Sequence, residues 1–228
     1  MGTQCAVCGG TEFSERPILW PELIAAWQLS PEEVSYIDRQ QGRACVQCGA
    51  NLRSVALAYA LRTFFGTAEW LRDFCDSSRA AAFRVLEINE AGTLHADLAR
   101  MRNHVFATYP QVDMHALPYS DGAFDVVVHS DTLEHVTNPV HALTECRRVL
   151  RKNGAVCFTI PIIVGRLSRS RTGLPKSWHG NEAESGDDFL VQTEFGADSW
   201  TYLMEAGFSD VALRSVEYPD ALAITARV

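Results

Sequence analysis

The chain has 228 residues, 47% of them hydrophobic and 21% charged, and carries a formal charge of −8 at neutral pH. A chain of this size buries roughly 70 to 75% of its unfolded surface and needs no covalent staples. Its acidic balance argues against nucleic acid or an anionic membrane as a whole-molecule partner.

The longest apolar run, 155–164, is broken by Thr159 and Pro161 and falls far short of the roughly 20 residues of a membrane span. The N-terminus lacks the charged flank and apolar stretch of a signal peptide. The chain therefore reads as cytoplasmic.

Four of the seven cysteines form two Cys-x-x-Cys pairs, Cys5 with Cys8 and Cys45 with Cys48, each followed by glycine. Such turns curl so that backbone N–H groups face the thiolates. Four thiolates in a reducing compartment suit a closed tetrahedral zinc site. A rubredoxin-like iron centre and a metal-free module are the alternatives. With all four positions filled by protein, the metal would be structural. The 36 residues between the pairs must carry structure of their own. Pro21 to Gln28 reads as a short helix, and Ser30-Pro31-Glu32-Glu33 is a capping box that opens another.

Residues 52–65 form an apolar-rich helix, and 69–75 a shorter one. From Phe83 the texture changes to short β-type runs alternating with helical segments, which predicts a parallel sheet with helices on its faces. Strands are expected at 84–88, 104–108, 124–129 and 155–160, with a closing pair at 211–217 and 222–228. Helices are expected at 93–101, from Asn138 to Asn153 with Gly154 as the stop, and at 198–205. The division is a zinc-ribbon-like module (1–52), a helical linker (53–78) and an α/β domain (79–228).

One block carries a family resemblance. It contains Asp113, Leu117-Pro118-Tyr119, Asp121-Gly122, Phe124-Asp125, Leu133-Glu134-His135 and Arg148-Val149-Leu150 with Gly154. It resembles the class I S-adenosylmethionine-dependent methyltransferases, and the paired cysteines look like a bacterial subgroup with an N-terminal metal module. The resemblance implies a Rossmann-like, mostly parallel sheet whose last strand is antiparallel. It also implies S-adenosylmethionine as cofactor beside zinc, and a cofactor site at Glu87, Asn89, Ala91, Gly92, Asp113 and Met114, with His129 at the strand end.

The chain departs from the family in two places. Asn89-Glu90-Ala91-Gly92 stands where the family has a glycine-rich turn, and no acid ends the strand at 104–108. Only four residues separate Thr108 from Asp113, too few for the usual helix and third strand. These departures keep open a non-catalytic binding module of the same fold.

Ligands in such sheets sit past the carboxyl ends of the strands. That selects His129, Ser130, Asp131, Glu134 and His135, with Asp131 as an acceptor contact and His135 as the base if one is needed, histidine being the side chain that titrates near neutrality. His135 could equally orient a loop, and His129 could simply be packed. The connection from Ile162 to Ala197 reads as a long irregular insert of the kind that forms lids or binding loops. Its first half is basic and its second acidic. Trp178, His179 and Asn181 lie between them, with His179 an alternative base. The aromatic and amide suit a sugar or another ring-bearing acceptor, unless the opposite charges merely pair with each other.

The function expected is methyl transfer to oxygen or nitrogen of a small molecule or saccharide. RNA is the alternative acceptor, gripped by the zinc module. However, residues 1–53 hold six acids against four arginines, which is no phosphate-binding surface.

Overall fold

A computed structural model describes residues 3–178 and 186–228. The two cysteine pairs fold as matching turns. Gly9 N–H donates to Cys5 O, and Cys5 N–H to Gly10 O; Gly49 and Cys45 repeat the pattern with Cys45 O and Ala50 O, all at 2.8–2.9 Å. Gly9 and Gly49 sit at φ 82° and 77°, a left-handed conformation that costs glycine nothing. The antiparallel strands β1 (Phe13–Glu15) and β2 (Arg43–Cys45) bring the turns together.

Between these strands lie α1 (Pro21–Ala26) and α2 (Pro31–Gly42). The capping box is present: Ser30 Oγ accepts from Glu33 N–H, and Glu33 Oε2 accepts from Ser30 N–H. Helix α3 (Leu52–Phe65) starts at Asn51, whose side chain accepts from Ser54 N–H, and stops at the left-handed Gly66. Its apolar residues spread around the helix because both sides are covered. One core runs from Ala6 and Val7 through Leu52, Val55, Leu57 and Leu61 to Val85, Val126 and Cys157. Helix α4 (Leu71–Asp76) joins the same core and takes main-chain bonds from the module, Leu71 N–H to Ala6 O and Arg72 N–H to Val7 O.

The α/β part runs β3 (Val85–Ile88), α5 (His95–Leu98), β4 (His104–Ala107), β5 (Phe124–Ser130), α6 (Pro139–Val149) and β6 (Leu150–Thr159). After β7 (Ile162–Ile163), β8 (Arg169–Ser170) and β9 (Thr193–Gly196), it closes with α7 (Thr201–Glu205), β10 (Asp210–Val216) and β11 (Ala221–Arg227). The six-stranded sheet has the order β10-β11-β6-β5-β3-β4. β4, β3, β5 and β6 pair in parallel, and β11 is antiparallel to both its neighbours. The Rossmann-like sheet and its antiparallel last strand are thus present. β4 is an edge strand, because the 108–113 link is a short turn.

Three expectations are corrected. The helix from Asn138 ends at Val149, not Asn153, because Leu150 is already extended and pairs with Phe124. Gly154 serves close approach instead: a Cβ there would meet Arg151 O and Asp125 O at 2.8 and 2.9 Å. The helix expected at 93–101 is a 3₁₀ turn, Gly92–Leu94, followed by the single turn of α5, since the chain must then reverse into β4. The insert after Ile162 is not irregular throughout: among its described residues, β7, β9 and β8 form a small sheet. Among the same described residues, Arg169 and Arg171 pair with Glu194 and Lys176 with Asp187, while Arg166 reaches out of the insert to Glu33. Among the described residues, no helix is long and apolar enough to cross a membrane.

Candidate functional site

A cleft of about 740 Å³ opens at the carboxyl ends of β3, β4 and β5, where open α/β sheets bind ligands. The turn after β3 forms its floor. Asn89 takes φ 52° and Gly92 φ 56°, so an asparagine and a displaced glycine supply the left-handed backbone that a glycine-rich turn would. Asn89 Oδ1 accepts from Tyr109 N–H at 3.1 Å, tying this turn to the end of β4. A Cβ on Gly92 would lie 3.0 Å from Ser54 Oγ. The turn is thus packed tightly against the first turn of α3.

Of the residues expected around a cofactor, Asn89, Gly92, Asp113 and Met114 line this cleft. Asp113 Oδ1 accepts from the backbone N–H of His115 at 2.8 Å, and that bond, with the imidazole beside it, holds the carboxyl below its usual range.

Three others lie beneath it. Glu87 is fully buried; its Oε1 accepts from Ala91 N–H, and its Oε2 lies 2.9 Å from His95 Nδ1 and 2.7 Å from His104 Nε2. It shapes the turn from below. Ala91 is fully buried over that bond. His129 is fully buried and stacked on Phe158 at 4.7 Å, and burial pushes its pKa down to about 4.

Two acceptor-side residues meet the cleft. Asp131 follows β5 directly, in the left-handed conformation at φ 50°. Its carboxylate accepts from Arg53 Nη1 at 2.5 Å and Gln41 Nε2 at 3.2 Å. His135 Nδ1 lies 3.2 Å from Leu190 O, so the ring donates there, and its Nε2 lies 3.7 Å from the buried Glu134 carboxylate. Trp178 does not line this cleft: it bridges to Leu190 and lies under Lys176 Nζ. His179 and Asn181 lie outside the described residues.

Sequence reasoning missed Glu90, Thr108, Tyr109 and Phe189, which also line the cleft. Only the exposed acid in a glycine-poor turn offered a signal. A second cavity of about 320 Å³ shares Asp131, His135 and Phe189 with the first. Its outer wall is formed by residues 18–41, which no sequence pattern marked as binding residues.

The four cysteine sulfurs lie within 4.8 Å of one another, with Cys5 3.6 Å from Cys48 and Cys8 3.7 Å from Cys45. Backbone N–H groups of Val7 and Cys8 point at Cys5, and those of Gln47 and Cys48 at Cys45. All four are free cysteines, and together they form a cluster that could hold a metal ion.

The recognisable motif between 117 and 148 is a latch. Arg148 donates to Leu117 O at 2.9 Å, Tyr119 O at 2.7 Å and Asp121 Oδ1 at 2.8 Å, and pairs with Glu145. It fixes the end of α6 against the loop that leads into β5.

Residues 65–158 match the family model described as a methyltransferase domain. A probable S-adenosylmethionine-dependent methyltransferase of Mycobacterium tuberculosis is 31% identical over 48% of this chain and 38% of its own length. A ubiquinone biosynthesis O-methyltransferase of Pseudomonas paraeruginosa is 26% identical over 56% of this chain and 50% of its own. The chain thus spans half or less of the length of these relatives. Among solved structures, an S-adenosylmethionine-dependent methyltransferase from Mesorhizobium loti aligns at 16% identity over 72% of this chain and all of its own, with a TM-score of 0.41. Residues 65–158 are thus similar to the methyltransferase-domain family, and the relatives that match this part of the chain include S-adenosylmethionine-dependent methyltransferases.

Proposed function

We propose that the chain is an S-adenosylmethionine-dependent methyltransferase acting on oxygen or nitrogen of a small molecule. The supporting observation is the junction of two cavities at Asp131, His135 and Phe189, at the carboxyl ends of the parallel strands. One cavity has the size and backbone floor for the cofactor, and the other leaves room for an acceptor against it. The O-methyltransferases among the relatives favour oxygen.

Asn89 and Gly92 would receive the methionine part on backbone atoms, and Asp113 and Met114 the adenine. Glu90, exposed on the cleft wall, would replace the ribose-holding acid that β4 lacks. When bound, the cofactor supplies a sulfonium methyl: the acceptor lone pair forms the new bond, the C–S electron pair returns to sulfur, and a hydroxyl acceptor loses one proton. Asp131 would orient that hydroxyl as a hydrogen-bond acceptor. His135, donating through Nδ1 to Leu190 O, would take the proton at Nε2, with Glu134 beside it to pair the new charge. Cys5, Cys8, Cys45 and Cys48 would hold one structural zinc, because thiolates at this spacing with backbone N–H donors are the donor set such an ion takes.

The test is calorimetric titration of folded, zinc-replete protein with S-adenosylhomocysteine. One-to-one binding is expected, weakened about tenfold by Asp113→Ala. Asn89→Gly should bind as the wild type, and Asn89→Val should not, since a β-branched residue resists φ 52°. A folded protein that gives no heat would overturn the reading.

A further inference from the structure

The second cavity has an unusual division of polarity. Its walls are Leu19, Trp20, Leu23, Trp27, Ile37 and Ile162, among other apolar side chains. Its only charged groups, Arg53 and Asp131 among the described residues, stand with His135 at the end that meets the cofactor cleft. A cavity of about 320 Å³ falls at the lower end of the small-ligand range.

The walls are fixed before any ligand arrives. Trp27 Nε1 donates to Ser177 Oγ at 2.9 Å, and its ring lies under the Arg171 guanidinium at 5.3 Å. Arg166 donates to Trp27 O at 2.9 Å and Gln28 O at 2.8 Å while paired with Glu33. The backbone N–H groups of Ile18 and Leu19 donate to Asp38 Oδ1, which pins the segment before α1 onto α2. Gln40 Nε2 donates to Ile162 O. These polar bonds fasten the walls to one another, and the interior is mostly apolar surface, with Gln40 and Gln41 the uncharged polar residues on its lining. Trp20, 38% exposed, stands at the rim.

We infer that this cavity is the acceptor pocket, that the N-terminal module forms its outer wall, and that the acceptor is an apolar, ring-bearing molecule with one hydroxyl directed at Asp131. The inference rests on the methyltransferase reading above. A saccharide fits poorly, since each ring hydroxyl turned toward the tryptophans and isoleucines would lose its hydrogen bonds, at about 1–3 kcal/mol each. An aromatic ring loses nothing there and gains contact with Trp20 and Trp27. The cysteine module then contributes to specificity as well as to the core.

The test uses the full chain saturated with S-adenosylhomocysteine, titrated calorimetrically with 2-naphthol and, separately, with methyl glucopyranoside. The expected result is measurable 2-naphthol binding and none for the glucoside. Ile37→Glu should lower 2-naphthol affinity at least tenfold. Trp20→Ala, at the exposed rim where folding is spared, should lower it three- to tenfold. Both variants should bind S-adenosylhomocysteine as the wild type does, because neither residue lines the cofactor cleft. Glucoside binding without naphthol binding, or naphthol binding indifferent to both substitutions, would overturn the inference while leaving the cofactor reading standing. Loss of S-adenosylhomocysteine binding in the folded wild type would instead remove the methyltransferase reading on which it rests.

Discussion

Arg53 Nη1 donates to Asp131 Oδ1 across 2.5 Å, joining the first turn of α3 to the residue that follows the central strand. The two ends differ in burial: the Arg53 side chain is 6% exposed and that of Asp131 29%. Arg53 Nε has no hydrogen-bond partner among the described residues, so the carboxylate is its main compensation.

Breaking this pair from either side should therefore cost different amounts. Asp131→Asn keeps an oxygen acceptor and a residue that tolerates φ 50°, but leaves a buried guanidinium without its counter-charge. We expect a loss of about 2 kcal/mol. Arg53→Met fills the same space and leaves the carboxylate where water can reach it, at about 1 kcal/mol. Urea unfolding of the two variants checks the order. Equal losses, or a larger loss for Arg53→Met, would mean that the pair is not the buried-cation arrangement described.

The four-cysteine cluster predicts a second outcome. Ala6 and Val7, between Cys5 and Cys8, are buried against the core of α3, and both accept main-chain bonds from α4. If an ion holds the thiolates, its loss should loosen residues 1–51 while the sheet persists. Metal analysis should find one zinc per chain. Cys48→Ser should lower that content and admit protease within the first fifty residues before the sheet is cut. Purified protein with no metal and wild-type resistance in Cys48→Ser would contradict the assignment.

What the sequence revealed followed the range of the interactions involved. The capping box at Ser30 and the helix over 52–65 were legible because their determinants lie within a few residues. The parallel strands were legible because buried strands read as continuous apolar runs. The missing strand after β4 followed from a count of four residues. The small sheet of β7, β8 and β9 was hidden because its strands are two to four residues long and carry charges that pair only in the fold. Glu87 was placed at the cofactor by the family resemblance and His129 by its strand-end position. The structure turns Glu87 toward two histidines and His129 onto Phe158, orientations that depend on neighbours far along the chain. The second cavity was invisible for the same reason, since its walls come from residues more than a hundred positions apart.

His129 carries the pH prediction. Burial disfavours its charged form and lowers its pKa from 6.5 to about 4, while the Glu134 carboxylate opposes the shift more weakly. The folded state thus prefers the neutral ring. The resulting stabilisation is complete above the unfolded value near 6.5 and is lost as pH falls through about 4, because protonation then favours the unfolded chain. The amount is of order 3 kcal/mol. His129→Leu keeps an apolar packing partner for Phe158 and removes the titration. The stability gap between wild type and variant, measured by urea unfolding from pH 7.5 to 4, should therefore move in the variant's favour as the pH drops, since groups common to both proteins cancel. Parallel curves over that interval would show that the imidazole charges in the folded protein as readily as in the unfolded chain, which a fully buried ring stacked on phenylalanine should not do.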